Sequence, residues 1–357
     1  MPVVVDPAQP VHAGRDGARR VPLCLDWSRF GRGRLAPPPA IRERHLYPVP
    51  SLHDRRATVH ALVTFVPTPR EALTALAQRF RVEPIPGGRS PVFILASSWR
   101  SGSTLMQRLI MSTGEYLVWG EPYDLCGVIE HQAESVRPFT LDWPPLRAIA
   151  DPSAAPTPDQ WVANTYPHPR HLVGAHRAFF DRLFQVPALE AGFDRWGVKS
   201  VRLDRDHAGY LQWLYPDARF IVVHRNPFDA YRSFRRHHGS RDHSGWFWKW
   251  PHLKVTGAGE FATMWATLTD SLTTAAPDLG AVVAPYEEFA AGRGLDRVED
   301  LVGAGIDRAL LDRRIGGFGV DAHDPSSDRL TAGEVEEIRD IGGPVAERLG
   351  YRGPSQP

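Results

Sequence analysis

The stretch from Val92 to Met106 constrains the fold of this chain more than any other. Five apolar residues, Val92-Phe93-Ile94-Leu95-Ala96, run into a polar turn with one cation, Ser97-Ser98-Trp99-Arg100-Ser101-Gly102. Beyond the turn, Leu105, Met106, Leu109 and Ile110 recur at helical spacing. A buried strand that turns directly into a helix aims several backbone N–H groups and the positive end of the helix dipole at one point, a geometry that binds phosphate. Gly102 lets the backbone approach an anion closely, Arg100 brings charge, and the Ser103 and Thr104 hydroxyls add donors. The Gly, four residues, Gly-Lys-Ser/Thr pattern of ATP-Mg²⁺ sites is absent. Alone, the loop is equally compatible with a strand-to-helix connection that holds nothing.

A second segment, Ala218 to Ser233, has the same grammar. Phe220 to Val223 read as another buried strand. Asn226 suits a helix cap and Pro227 suits the first helical position, because its fixed φ fits and its missing N–H needs no partner there. Arg225 then leaves the carboxyl end of a strand, and Ser233 lies about two turns into the next helix. An Arg and a hydroxyl presented together form a second phosphate cradle; the competing reading is an Arg225–Asp229 pair with Ser233 an ordinary helix residue.

Taken together, the two segments resemble the sulfotransferases that draw their sulfuryl group from 3′-phosphoadenosine 5′-phosphosulfate (PAPS). In that family a strand is followed by basic-Ser-Gly-small-Thr, which holds the 5′-phosphosulfate; here this is Arg100-Ser101-Gly102-Ser103-Thr104. A later strand is followed by Arg, commonly Arg-Asn-Pro, with a Ser eight residues on, and these hold the 3′-phosphate; here they are Arg225-Asn226-Pro227 and Ser233. The resemblance covers Pro91 to Tyr351 and is nearer to bacterial and carbohydrate-modifying members than to cytosolic ones. It implies a P-loop-like nucleotide-binding core, PAPS as donor and a hydroxyl of a small molecule or glycan as acceptor. The alternatives are a P-loop-type kinase or nucleotide-binding protein, and a catalytically inactive relative acting as a partner.

The resemblance also implies roles. Arg100 stands where cytosolic members carry a catalytic Lys, and Lys199, at the end of a strand starting near Trp196, resembles a second Lys brought to the bridging oxygen by some members. Several members use a Glu about twenty residues after the phosphate loop as general base. The strand Tyr116-Leu117-Val118-Trp119 ends at Gly120-Glu121-Pro122-Tyr123-Asp124, which makes Glu121 the first candidate and Asp124 the second; a Glu121–Arg100 ion pair is the competing reading. The cytosolic Arg-Lys-Gly loop is absent, with Arg313-Arg314-Ile315-Gly316-Gly317 and Asp324-Pro325-Ser326-Ser327 as the segments left to close over the nucleotide. Leu105 occupies the place of the adenine-stacking Trp.

Composition fits such an enzyme. The 357 residues suffice for a large core, and 42 Lys and Arg against 41 Asp and Glu give a nucleic-acid partner no electrostatic support. No apolar run approaches the length of a membrane span, and Met1-Pro2-Val3-Val4-Val5-Asp6 does not read as an export signal. Two cysteines, Cys24 and Cys126, make neither a disulfide framework nor a metal set, so the expected compartment is the cytoplasm. His237, His238, His243 and His252 with Trp246, Trp248 and Trp250 lack metal-ligand spacing and read either as a mobile cover over the acceptor or as aromatics buried under a long loop. Residues 1–88 are expected to form an arm and an accessory helix, Arg70 to Phe80, packed on a sulfotransferase domain of residues 89–357. Within that domain, alternating strands and helices predict an α/β fold, a three-layer parallel sheet with helices on both faces.

Overall fold

The computed structural model describes residues 67–83, 90–123, 126–150, 157, 159, 165–239, 249–313 and 329–354. Strand β1 (Val92–Ala96) is buried along its whole length, as a strand covered on both faces must be. It is preceded by helix α1 (Pro69–Phe80) and followed by α2 (Ser103–Met111). Next come β2 (Tyr116–Trp119), α3 (Val128–Glu134), α4 (Pro169–Phe180), a π-helical turn at Asp181–Gln185 and α5 (Val186–Glu190). The chain continues through β3 (Arg195–Ser200), α6 (Arg205–Leu214), β4 (Arg219–His224) and α7 (Pro227–Gly239). A short antiparallel ribbon, β5 (Lys249–Trp250) and β6 (Leu253–Lys254), precedes α8 (Ala258–Leu279) and β7 (Val282–Pro285). The one-turn α9 (Tyr286–Phe289), α10 (Leu295–Val302) and α11 (Ala332–Arg348) complete the described α-helices, and short 3-10 turns lie at Leu146–Ala148 and Arg308–Leu311.

Among the described residues the main sheet has five strands in the order β2-β3-β1-β4-β7, with every neighbouring pair parallel. Alternation along the strands sorts side chains to the two faces. Phe93, Leu95, Trp196, Val198, Phe220 and Val222 pack into one core with residues of α1, α4, α6 and α8. Val92, Ile94, Val118, Ile221 and Val223 pack into another with Met106, Leu109 and Ile110 of α2 and Leu295, Val298 and Val302 of α10. The expected α/β architecture, a parallel sheet covered on both faces, is what the chain adopts. Helix α1 begins at a Thr68–Glu71 capping box, and Ala72, Leu73, Leu76 and Phe80 lie within the first core.

Strand order determines where a ligand can lie. From β1 the chain goes first to β2 and β3 on one side and later to β4 and β7 on the other. The connections that leave β1 and β4 run toward opposite edges of the sheet, and between them a crevice opens beyond the carboxyl ends of the strands, where ligands of such sheets bind. Both basic motifs sit at that edge, after β1 and after β4.

Candidate active site

The turn after β1 is anchored at both ends. Ser97 N–H extends the sheet ladder to the Val223 carbonyl at 2.9 Å, and Ser101 Oγ donates to the Ser98 carbonyl at 2.9 Å. Trp99 is buried and stacks on Phe234 of α7, ring centres 5.9 Å apart. The first backbone bonds of α2 run from Leu105 and Met106 to the Gly102 carbonyl. No backbone acceptor takes the N–H groups of Gly102, Ser103 or Thr104 among the described residues. They remain as the donor cluster of a helix start.

Gly102 has φ +91°, a left-handed conformation, and the side a Cβ would occupy is filled by the Tyr286 ring: an ideal Cβ would lie 2.2 Å from Tyr286 Cδ2. The close neighbour that demands glycine is thus an aromatic ring from the end of β7. Gly102→Ala is expected to displace that ring or lower stability by about 2 kcal/mol, through strain and overlap together. Thermal unfolding of the variant checks this; an unchanged melting temperature with unchanged nucleotide affinity would mean the ring moves freely.

Arg225 links the two motifs. Its guanidinium lies over the same Tyr286 ring, 4.2 Å from the centroid, and its Nη1 donates to the Arg100 carbonyl at 3.2 Å. Arg100, exposed and at φ +66°, reaches back so that its Nε donates to Ser233 Oγ at 3.1 Å. Residues from the two motifs therefore meet directly. Asp229 pairs with Arg232 at 2.9 Å, so the alternative Arg225–Asp229 pair does not form. Asn226 caps α7 as expected, its Oδ1 accepting the Phe228 N–H at 3.0 Å.

The Arg225 position is braced from behind. Trp265 Nε1 donates to its carbonyl at 2.9 Å. Glu287 accepts the Asn226 N–H at 2.9 Å and the Tyr351 hydroxyl at 3.0 Å, and Tyr351 lies 2.9 Å from Nδ1 of buried His224. The single Tyr351 hydroxyl hydrogen goes to the carboxylate, so His224 Nδ1 is the donor in this pair. Burial pushes the His224 imidazole down to about 4, and burial followed by the Glu287 charge pushes the Tyr351 phenol up. His224 thus stays neutral in the fold but gains a proton in the unfolded chain below 6.5. Its contribution is intact above that value and is lost as pH falls toward 4, by about 3 kcal/mol in full. Denaturant unfolding at pH 7 and pH 5 should show a smaller acid loss in His224→Gln than in the parent chain.

On the other side of β1, Lys199 is the penultimate residue of β3 and is buried, with Nζ donating to Glu121 Oε1 at 2.7 Å. Arg202 Nη1 donates to Glu121 Oε2 at 3.1 Å. The expected alternative partner of Glu121, Arg100, is replaced by these two cations because Arg100 turns toward Ser233. Lys199 is not the surface lysine that a strand end permits: 9 % of its side chain is exposed. Asp124, Arg314 to Gly317, Asp324 to Ser327, and the Trp246 and Trp248 positions lie outside the described residues, as do the side chains of His237, His238 and His243. Trp250 is described and is buried, donating through Nε1 to the Arg202 carbonyl at 3.1 Å, while His252 is exposed.

Sequence reasoning missed Arg202 and Tyr286. A second cation three residues past Lys199 was a signal for the first; nothing local announces the second. Ser97 Oγ, Ser98 Oγ and Arg225 Nε are buried without a hydrogen-bond partner among the described residues, orphans that an anion-bearing ligand or its water would satisfy. No group of His, Cys, Asp and Glu among the described residues could hold a metal ion, and no described helix is long and apolar enough to cross a membrane.

The two basic motifs adjoin at the carboxyl edge of a parallel α/β sheet, the edge at which such sheets bind ligands. The sequence profile of the sulfotransferase family matches residues 91–291, more than half of the chain, and the chain belongs to that family. It is therefore a transferase of the class that moves sulfuryl groups. Among solved structures, the chain is similar to the sulfotransferase domain of the olefin synthase of Synechococcus PCC 7002, with 20 % identity, 76 % of this chain and 99 % of that one covered, and a TM-score of 0.41. It is also similar to sulfotransferase STF9 of Mycobacterium avium, with 13 % identity, 80 % and 83 % covered, and a TM-score of 0.36. No curated protein matches the chain.

Proposed function

We propose that the chain transfers the sulfuryl group of PAPS to a hydroxyl of a small-molecule or carbohydrate acceptor, with Glu121 as general base. One observation carries the reading: Arg225 bonds the Arg100 carbonyl while the Arg100 side chain bonds Ser233, which brings the two phosphate motifs within reach of one nucleotide. In this reading Arg100, Ser101, Gly102, Ser103 and Thr104 hold the 5′ end, and Arg225 and Ser233 hold the 3′-phosphate. The donor supplies the sulfuryl group and a phosphate leaving group.

The protein's part is electrostatic and protolytic. As the acceptor oxygen bonds to sulfur, the sulfur–oxygen bond to the phosphate breaks and its electron pair stays on the phosphate oxygen. Fixed cations lower that barrier by offsetting the growing charge. Lys199 and Arg100 are the cations assigned here, Lys199 as a proton source and Arg100 as a permanent charge. Glu121 receives the acceptor's hydroxyl proton; each carboxylate oxygen keeps a lone pair beyond the one its cation uses. Because Lys199 and Glu121 are already hydrogen-bonded, a proton gained on one side of the site has a direct partner on the other.

Calorimetry with adenosine 3′,5′-bisphosphate and with ATP-Mg²⁺, together with transfer of labelled sulfate from PAPS to a panel of phenols, alcohols and sugars, tests the proposal. Binding of the bisphosphate alone, with label reaching an acceptor oxygen, supports it. Preference for ATP-Mg²⁺ would move the chain to kinase chemistry, and bisphosphate binding without transfer to any acceptor would favour an inactive partner protein.

A further inference from the structure

Arg202 makes more contacts at this site than any role assigned so far explains. The residue follows β3 by two positions, in the turn that leads into α6. Its guanidinium joins three separate elements. Nη1 donates to Glu121 Oε2 at 3.1 Å, Nε donates to the Lys249 carbonyl of β5 at 3.2 Å, and the guanidinium carbon lies 5.3 Å from the centre of the Trp99 ring in the phosphate loop. The backbone is pinned too: its N–H donates to Ser200 Oγ at 3.3 Å and its carbonyl accepts from Trp250 Nε1. Only 10 % of the side chain is exposed.

A guanidinium is planar and its donors diverge at fixed angles. Once the Lys249 carbonyl and the Trp99 ring fix the plane, the donor aimed at Glu121 has one direction. Lys199 holds the other carboxylate oxygen at 2.7 Å, so the carboxylate is oriented by two cations from the same strand end. The geometry points to Arg202 as a positioning residue for Glu121, one that sets the carboxylate plane relative to the phosphate loop through Trp99. The inference rests on the reading of Glu121 as base. A proton acceptor must lie within hydrogen-bond reach of the hydroxyl it deprotonates, and small misplacements of such groups cost large factors in rate. Arg202 is committed to the Glu121 carboxylate, the Lys249 carbonyl and the Trp99 ring, so its loss should act on turnover more than on nucleotide binding.

Arg202→Gln, Arg202→Lys, Glu121→Gln and the Arg202→Gln/Glu121→Gln double variant are compared for kcat, donor and acceptor KM, and affinity for adenosine 3′,5′-bisphosphate. Arg202→Gln is expected to lower kcat at least about tenfold, with bisphosphate affinity and donor KM within about twofold of the parent. Arg202→Lys, which keeps the charge but not the fork, should recover part of the loss. In the Glu121→Gln background the Arg202 change should cost less than about twofold, because a residue that acts through Glu121 has nothing left to orient. Bisphosphate affinity also reports folding, so an inactive variant that still binds is not simply unfolded. An equal loss in both backgrounds, or a raised donor KM at constant kcat, would overturn the inference and make Arg202 a donor ligand or a scaffold residue. Full activity of Glu121→Gln is a separate result: it would remove the base reading itself and the positioning role with it.

Discussion

Glu121→Gln is expected to lower turnover at least about a hundredfold while affinity for adenosine 3′,5′-bisphosphate stays within about twofold. Glutamine keeps the size of the side chain and one acceptor oxygen, so either Lys199 or Arg202 retains a partner. It cannot take up a proton, and its amide nitrogen must face the other cation. Two effects are therefore mixed: loss of the base, and a cation left with a poor partner in a site where Lys199 and Arg202 are 9 % and 10 % exposed. Glu121→Asp separates them, since it restores the charge and the proton acceptor but retracts the carboxylate by one methylene. An enzyme limited by base chemistry should be slow in both variants and fold in both, whereas an ion pair that only supports the fold should leave Glu121→Asp destabilised and catalytically normal per folded molecule. Steady-state turnover beside thermal unfolding makes the distinction. Parent-like kcat in Glu121→Gln would sink the base assignment.

What the sequence disclosed and what it withheld follow from the range of the forces involved. Val92–Ala96 and Phe220–Val223 are continuous apolar runs that end at polar residues, and each lies in a buried strand because a parallel sheet is covered on both faces. The Asn226 cap on α7 was legible for the same reason: the bond to the Phe228 N–H spans two residues. Glu121 and Lys199 were each readable as strand-end residues, but their mutual bond was not, because it depends on β2 and β3 being neighbours in the sheet. Arg202 reaches Glu121 across 81 positions of sequence, and its side chain is committed by Lys249 and Trp99, which no local pattern connects. Gly102 was recognised as a position needing glycine, yet the reason read from the sequence was approach to an anion, while the contact that fills its open side is Tyr286 from the far edge of the sheet. Local grammar thus marked where chemistry could sit; packing between distant strands chose which charges meet.

Arg225→Ala should weaken adenosine 3′,5′-bisphosphate by about 2–3 kcal/mol, roughly 30- to 150-fold in Kd, the cost of removing a charge-assisted contact. Arg225 also has internal work, since it holds the Arg100 carbonyl and covers the Tyr286 ring that fills the open side of Gly102. Its removal can therefore loosen the 5′ cradle as well as delete a 3′ contact. The ligand provides the control. Adenosine 5′-phosphosulfate lacks the 3′-phosphate, so a residue that acts on that group alone should change its affinity little, and the difference between the two ligands isolates the direct term in the manner of a double-mutant cycle. Arg225→Lys adds a second check: a point charge should recover part of the bisphosphate affinity without restoring the fork to the Arg100 carbonyl. Equal losses for the two ligands would make Arg225 a brace of the phosphate loop and leave the 3′-phosphate to Ser233 and Arg100, whose bond already joins the two motifs.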